Sequence, residues 1–257
     1  MFAALYHALF YDPVYNGLVF LIAIVPGGDA GIAVILLTIL VRLLLFPLSL
    51  KATRTQLLMR RLEPELKRLR EELKGKKEEQ ARRVMTLYRE QGVNPLSMFL
   101  FMVVQILFIF ALYFIFWKGG LPDIRANLLY AFTPAPERVS MLFLGFIDML
   151  DPAPLVLAVL AALAGGTQFF QTRLSLPPAA PATPGARPSL KEDLARSFNL
   201  QMRYLLPLVI VVVAYTVGTA VALYFTVRNM VSIGQELYVR RTLKRPAQLP
   251  AGDHAGN

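Results

Sequence analysis

Four stretches of the chain are apolar almost without interruption: 30–50, 95–117, 152–172 and 204–227. Each is close to the roughly 20 residues a helix needs to cross a bilayer. None contains Asp or Glu, and Arg42 is the only basic residue in them. A transmembrane barrel would show short alternating segments instead. The pattern predicts an all-α polytopic membrane protein. Between the first two stretches the pattern changes. Leu58, Leu62, Leu66, Leu69 and Leu73 recur at steps of four and three, and Ala81, Val84, Met85 and Tyr88 form a second stripe beyond Gly75. Two helical stripes around one glycine predict an antiparallel helical hairpin, with Pro64 starting or kinking its first helix. Pro177–Pro188 is rich in Pro and Ala and reads as a flexible linker. At the start of the chain, Asp12 and Pro13 break the apolar pattern. An interfacial helix is preferred there over a sixth span, followed by a turn at Pro26-Gly27-Gly28-Asp29.

Charge orients these elements. Residues 51–94 carry 13 Lys/Arg against 7 Asp/Glu, while 118–151 carry three against four. Lys and Arg also exceed acids in 173–199 and after residue 239. Basic loops stay in the cytoplasm, so 200–239 must cross twice to keep the tail inside. The expected organisation runs from an extracytoplasmic interfacial helix and turn at 1–29 to a basic cytoplasmic tail at 240–257. Five spans, 30–50, 95–117, 152–172, 200–216 and 218–239, lie between. The cytoplasmic hairpin is 51–94, the extracytoplasmic loop 118–151 and the flexible cytoplasmic loop 173–199. The net charge of +10 is thereby used up in flanking segments, and no nucleic-acid site is expected.

Arg42 is the residue that asks for an explanation. A charge at membrane depth costs about 2.5–3.5 kcal/mol on insertion scales. A water-filled cavity, an acidic partner or escape to the headgroups would make that tolerable. Thr38 lies one turn from it on the same helix face. Gln105, Gln168 and Gln171 fall at similar depth on other spans, and Tyr113 and Tyr224 add hydroxyls. Several polar groups at one depth predict a hydrated groove open to the cytoplasm. Each taken singly is also explained by a hydrogen bond to a neighbouring helix, and Arg42 by snorkelling. The chain has no Cys, and its two His, His7 and His254, lie near the termini. No metal site, cofactor or catalytic residue is expected, and no phosphate loop, GxSxG or HExxH occurs. A small-solute channel or anion carrier, or a structural membrane subunit, are the rival readings. A carrier should show repeated halves, which the sequence lacks.

The order and spacing of several short pieces identify a family. Leu37-Thr38-Ile39-Leu40-Val41-Arg42 is followed by Phe46-Pro47-Leu48, then by Leu62-Glu63-Pro64-Glu65. Leu87-Tyr88-Arg89 precedes Asn94-Pro95-Leu96. Gln105 and Ala111-Leu112-Tyr113, Phe169-Phe170-Gln171, and Leu223-Tyr224-Phe225 with Asn229 complete the series. The chain resembles the YidC-type membrane protein insertases over about Pro13 to Arg241, in a five-span form without the large extracytoplasmic domain. The resemblance implies five helices around a hydrophilic groove, with Arg42 as the groove arginine and the hairpin as the substrate-recruiting region. It implies a bacterial plasma membrane location. The implied partners are nascent membrane proteins and the lipid bilayer, and further the ribosome and the Sec translocon.

Overall fold

The computed structural model describes residues 2–117, 121–175, 197 and 200–244. Among them, regular structure is helical apart from one antiparallel pair of two-residue strands, β1 (Leu142–Phe143) and β2 (Ile147–Asp148). The flexible linker and most of the basic tail read from the sequence lie outside the described residues.

The chain opens with α1 (Phe2–Tyr6), a π-helical turn (His7–Tyr11) and α2 (Asp12–Ile24). Asp12 and Pro13 were expected to break this segment and do not. Pro13 stands in the first turn of α2, where no helical N–H is needed. The preceding turn takes one extra residue, the N–H of Asp12 bonding to the His7 carbonyl. Ala4–Ile24 is therefore long and apolar enough to cross a membrane by length and composition. Its middle is deeply buried, with Tyr15 fully enclosed. The Asn16 side chain donates to the Leu128 carbonyl at 2.8 Å and accepts from the Tyr130 N–H at 2.7 Å. Asn16 thus fastens α2 to the segment joining the second and third apolar stretches.

Gly27 (φ 76°) and Gly28 (φ 67°) then turn the chain. A β-carbon on Gly28 would stand 2.4 Å from the Arg138 carbonyl oxygen, so only glycine fits. Asp29 caps α3 (Ala30–Leu44), one carboxylate oxygen accepting from Gly31 N–H and Ile32 N–H. The other oxygen accepts from Leu144 N–H at 2.7 Å. One side chain therefore both starts the helix and pins the loop around β1 across its end.

The first apolar stretch does not run straight to residue 50. α3 stops at Leu44, and α4 (Phe46–Glu72) leaves at 65° to it. Pro47 accounts for the break, because it has no N–H to continue the α3 ladder and its ring crowds the turn before it. Pro64 was expected to start or kink the hairpin's first helix. It sits inside α4, and Pro47 occupies the starting turn.

α4 and α5 (Lys77–Glu90) are joined at Gly75, φ 95°. Leu62 and Leu66 meet Leu87 and Val93, with Leu58, Met59, Val84 and Tyr88 around them. Ala81 and Met85, expected in the second stripe, are exposed. The buried face instead runs through Val84, Leu87 and Tyr88.

α6 (Pro95–Trp117) and α7 (Pro154–Ser175) are long apolar helices. A π-helical turn (Gln201–Leu205) leads into α8 (Leu206–Val217), and Gly218 at φ 119° separates it from α9 (Thr219–Lys244). α7 packs against α8 and α9, and α9 also against α3. A β-carbon on Gly165 would stand 2.1 Å from Val211 Cγ2, so α7 and α8 approach as closely as a glycine allows. Close approach at small residues is how helices associate where lipid removes the hydrophobic drive. By length and composition, three described helices could cross a membrane, or four if the bent α3–α4 pair is one span. The stretches expected at 200–216 and 218–239 are not among those three. The first is a shorter apolar helix, and the second carries Arg228 and Glu236.

Candidate functional site

α3 ends immediately after the residue that posed the problem. Arg42 occupies its last turn, where the unpaired carbonyls of a helix C-terminus favour a cation. Its side chain is enclosed by protein, with 4% exposure. It has therefore not escaped to the surface of the molecule. Its Cζ lies 5.7 Å from the centre of the Phe101 ring on α6, a cation–π distance. Its Nη2 is buried without a hydrogen-bond partner among the described residues. No carboxylate pairs with it there.

Arg42 lines a crevice with Thr38, Val41 and Leu45 from α3 and α4's approach, Gln105 and Phe108 from α6, and Tyr224 from α9. Four of the sequence-predicted residues, Thr38, Arg42, Gln105 and Tyr224, thus come together between three helices. Thr38 gives its hydroxyl to the Val34 carbonyl at 2.7 Å, so its polarity is spent within α3. Gln105 donates its side-chain amide to the Tyr224 hydroxyl, closing the space between α6 and α9. The Phe108 and Tyr224 rings pack 5.5 Å apart beside that bond. The crevice holds about 10 Å³, at the lower limit for a single water. The space these four side chains enclose is therefore narrow.

The other three predicted residues lie elsewhere. Tyr113 is two turns from Gln105 on α6 and packs edge-on against Phe114. Gln168 and Gln171 belong to a second polar cluster between α7 and α9. Gln168 donates to Gln171 and Thr172, Gln171 donates to the Ser175 hydroxyl at 3.0 Å, and Ser175 donates to the Glu236 carboxylate. Glu236 is 4% exposed. It accepts from Arg240 at 2.9 Å, and Arg240 also donates to the Leu174 carbonyl. Gln56 on α4 reaches the Ser175 carbonyl at 3.3 Å, so the root of the hairpin is tied to the same cluster. This carboxylate was missed because the long apolar stretch ends at residue 227. The available signal was the Glu236–Arg240 pair at i,i+4.

Asn229 is fully buried and donates to the Ala164 carbonyl and the Thr167 hydroxyl of α7, both at 3.3 Å. It explains how α9 is held against α7 above the crevice. Arg228 beside it was read from sequence as an interface anchor. It is half-buried, 6.0 Å from the Phe225 ring centre, with its Nε buried and unpartnered.

Residues 20–246 match the 60Kd inner membrane protein family. The chain belongs to that family. Relatives named membrane protein insertase YidC are similar to it. The one from Fusobacterium nucleatum is 27% identical over 217 residues, covering 83% of this chain and 87% of the relative. The one from Magnetococcus marinus is 28% identical over 214 residues, 83% of this chain and 33% of the relative. The one from Streptomyces avermitilis is 27% identical over 238 residues, 86% of this chain and 53% of the relative. The chain thus spans most of the first relative and about a third of the second. The match takes in both polar clusters, so the crevice around Arg42 belongs to the part of the chain that the 60Kd family shares.

Proposed function

We infer that this protein is a membrane protein insertase of the bacterial plasma membrane. The carrying observation is Arg42: a cation enclosed at the end of an apolar helix, sharing a narrow crevice with Gln105 and Tyr224 and lacking a carboxylate partner among the described residues. Names of relatives and the family match agree with that reading. The crevice opens between α6 and α9 when the Gln105–Tyr224 bond gives way, and admits water and a polar segment of a nascent chain. A carboxylate on that segment meets Arg42. Opposite charges 4 Å apart attract by about 4 kcal/mol at an effective dielectric of 20. That matches in size the few kcal/mol a carboxylate loses on entering a bilayer. The substrate's apolar helix then leaves into lipid, its Leu-like residues each favouring the move by about 0.3–0.6 kcal/mol. No covalent chemistry is involved.

In this reading the five spans are α3 with its bend, α6, α7, α8 with the preceding π-turn, and α9. At 1.5 Å per residue α9 is about 39 Å long, enough to span with its basic end in the cytoplasm. The helix from Phe2 to Ile24 lies along the extracytoplasmic interface. Asn16 and the turn at Gly28 both bond to the segment between α6 and α7, and Asn16 stands about 12 Å along the helix before its end at Ile24. A helix crossing the membrane would leave that loop rather than follow it. The N-terminus is outside and the C-terminus inside, and the hairpin recruits substrates.

The test is insertion of a short single-span protein with an acidic translocated tail into liposomes, with and without this protein. Protease protection of the tail should rise when the protein is present. Equal protection without it would overturn the reading.

A further inference from the structure

We propose that Arg228 is a second cation of the same groove, and that Arg42 and Arg228 together favour substrate tails carrying a pair of carboxylates. The inference rests on the insertase reading and names a specificity residue for it. Arg228 follows Tyr224 by four residues on α9, one turn along the same face. Tyr224 lines the crevice with Arg42, so Arg228 stands one helical turn beyond that lining.

Two like charges so placed repel, and burial adds to their cost. Stable proteins answer such a pair with an acid. None is present on α3, α6, α7 or α8, and on α4, which also touches α9, the first acid is Glu63, 17 residues or about 25 Å beyond the helix start at Phe46. On α9 itself the one acid is Glu236, two turns on, already taken by Arg240 and Ser175. The partners Arg228 does have are weak ones, the Asn229 side-chain oxygen at 3.4 Å and the Phe225 ring. Arg228 Nε and Arg42 Nη2 both remain unpartnered and buried. Two planar forks with free donors suit carboxylates, which accept two parallel N–H bonds each. Lipid phosphate is the other anion available at a membrane. Arg42 is enclosed by protein at 4% exposure, so a side chain entering the crevice reaches it and a headgroup does not.

The experiment uses the full chain in phosphatidylcholine liposomes and single-span substrates whose translocated tails carry no, one or two Asp. The readout is the insertion ratio of the two-Asp tail to the neutral tail, which cancels any shared loss of folded protein. Arg228→Gln should lower that ratio roughly threefold to tenfold, the range of one charge-assisted contact between well-screened and buried limits. Arg228→Lys should keep most of it, and Arg241→Gln on the exposed C-terminal turn of α9 should not change it. Binding of a fluorescent two-Asp peptide to detergent-solubilised protein is measured alongside and should weaken in Arg228→Gln. A ratio and a peptide affinity both unchanged in Arg228→Gln would overturn the proposal. So would a ratio that responds to Arg228 only when anionic lipid is added, which would assign the site to headgroups. If the unaltered protein inserts no tail above protein-free liposomes, the insertase reading fails. Arg228-dependent peptide binding would then still uphold the two-arginine site.

Discussion

Tyr224→Phe removes one oxygen from the centre of the molecule, and its cost reports whether the crevice is dry. The Tyr224 hydroxyl accepts from the Gln105 side-chain amide between α6 and α9. Both residues are buried. The surrounding space, about 10 Å³, barely admits one water. With the hydroxyl gone and the crevice shut, the amide is stranded. A buried donor left without a partner costs about 1–3 kcal/mol. Gln105→Leu added to Tyr224→Phe removes the stranded group, so the double variant should recover most of that loss. The coupling between the two sites should then be about 1 kcal/mol or more. Reversible unfolding in mixed micelles measures all four proteins of the cycle. The same variant weakens the side-chain hydrogen bond between α6 and α9. A cysteine at Thr38 should therefore react faster with a water-soluble maleimide in Tyr224→Phe than in the parent. Water filling the resting crevice would satisfy the amide in place of the hydroxyl. A single-variant cost below about 0.5 kcal/mol, with no coupling to Gln105, would refute the closed resting state.

Other expectations concern the scaffold. Gly165→Ala places a methyl 2.1 Å from Val211 Cγ2 and 3.0 Å from the Pro207 carbonyl oxygen. Overpacking of that kind costs about 1–3 kcal/mol. Melting temperature should fall, recover in part with Val211→Ala, and stay unchanged in Gly166→Ala, whose β-carbon meets nothing within 4 Å. Asp29→Ala removes the α3 cap and the bond to Leu144. It should cost about 1–2 kcal/mol, with Asp29→Asn retaining part of it in the same melting assay. The N–H groups of Asp151 and Leu150 hold the Asp148 carboxyl below its ordinary range. A depressed carboxyl stabilises the fold above its unfolded value and stops doing so as pH falls through the folded one. Hydrogen exchange at Leu150 should therefore speed up only in acid, below the usual carboxylate range.

The sequence reading and the structure agree where a residue's role is set by pattern. Long apolar runs place α6 and α7 because nothing polar interrupts them, and a glycine at 75 or 218 marks a break because few other residues adopt positive φ. Thr38, Arg42 and Gln105 were legible together because helical spacing and depth are both read from position, whereas Tyr224 was read only as a hydroxyl and Gln168 and Gln171, read at the same depth, belong to another cluster. Packing is where the reading falls short. Pro47 lies between apolar residues that look like one span, and only its missing N–H decides that the helix bends there. Asp12 and Pro13 look like a break, yet a single extra residue in the π-turn carries the helix through. Glu236 was invisible as a buried acid because its partner Ser175 is 61 positions away. The narrowness of the crevice depends on the Gln105–Tyr224 bond, which no spacing rule foretells. Arg42's place in the last turn of α3 follows from the bend, so the help it draws from the helix end was equally hidden.

The central claim is that the charge of Arg42 acts on the substrate. It is tested most directly by inserting acidic, neutral and basic tails with Arg42→Ala and Arg42→Lys, alongside melting temperatures. The account predicts that Arg42→Ala loses most with the acidic tail while melting stays near the parent value. Removing an uncompensated cation breaks no ion pair among the described residues. Arg42→Lys should retain much of the activity, since the charge survives without the planar fork. Equal losses for all three tails in both variants, falling together with melting temperature, would contradict it and make Arg42 a structural residue.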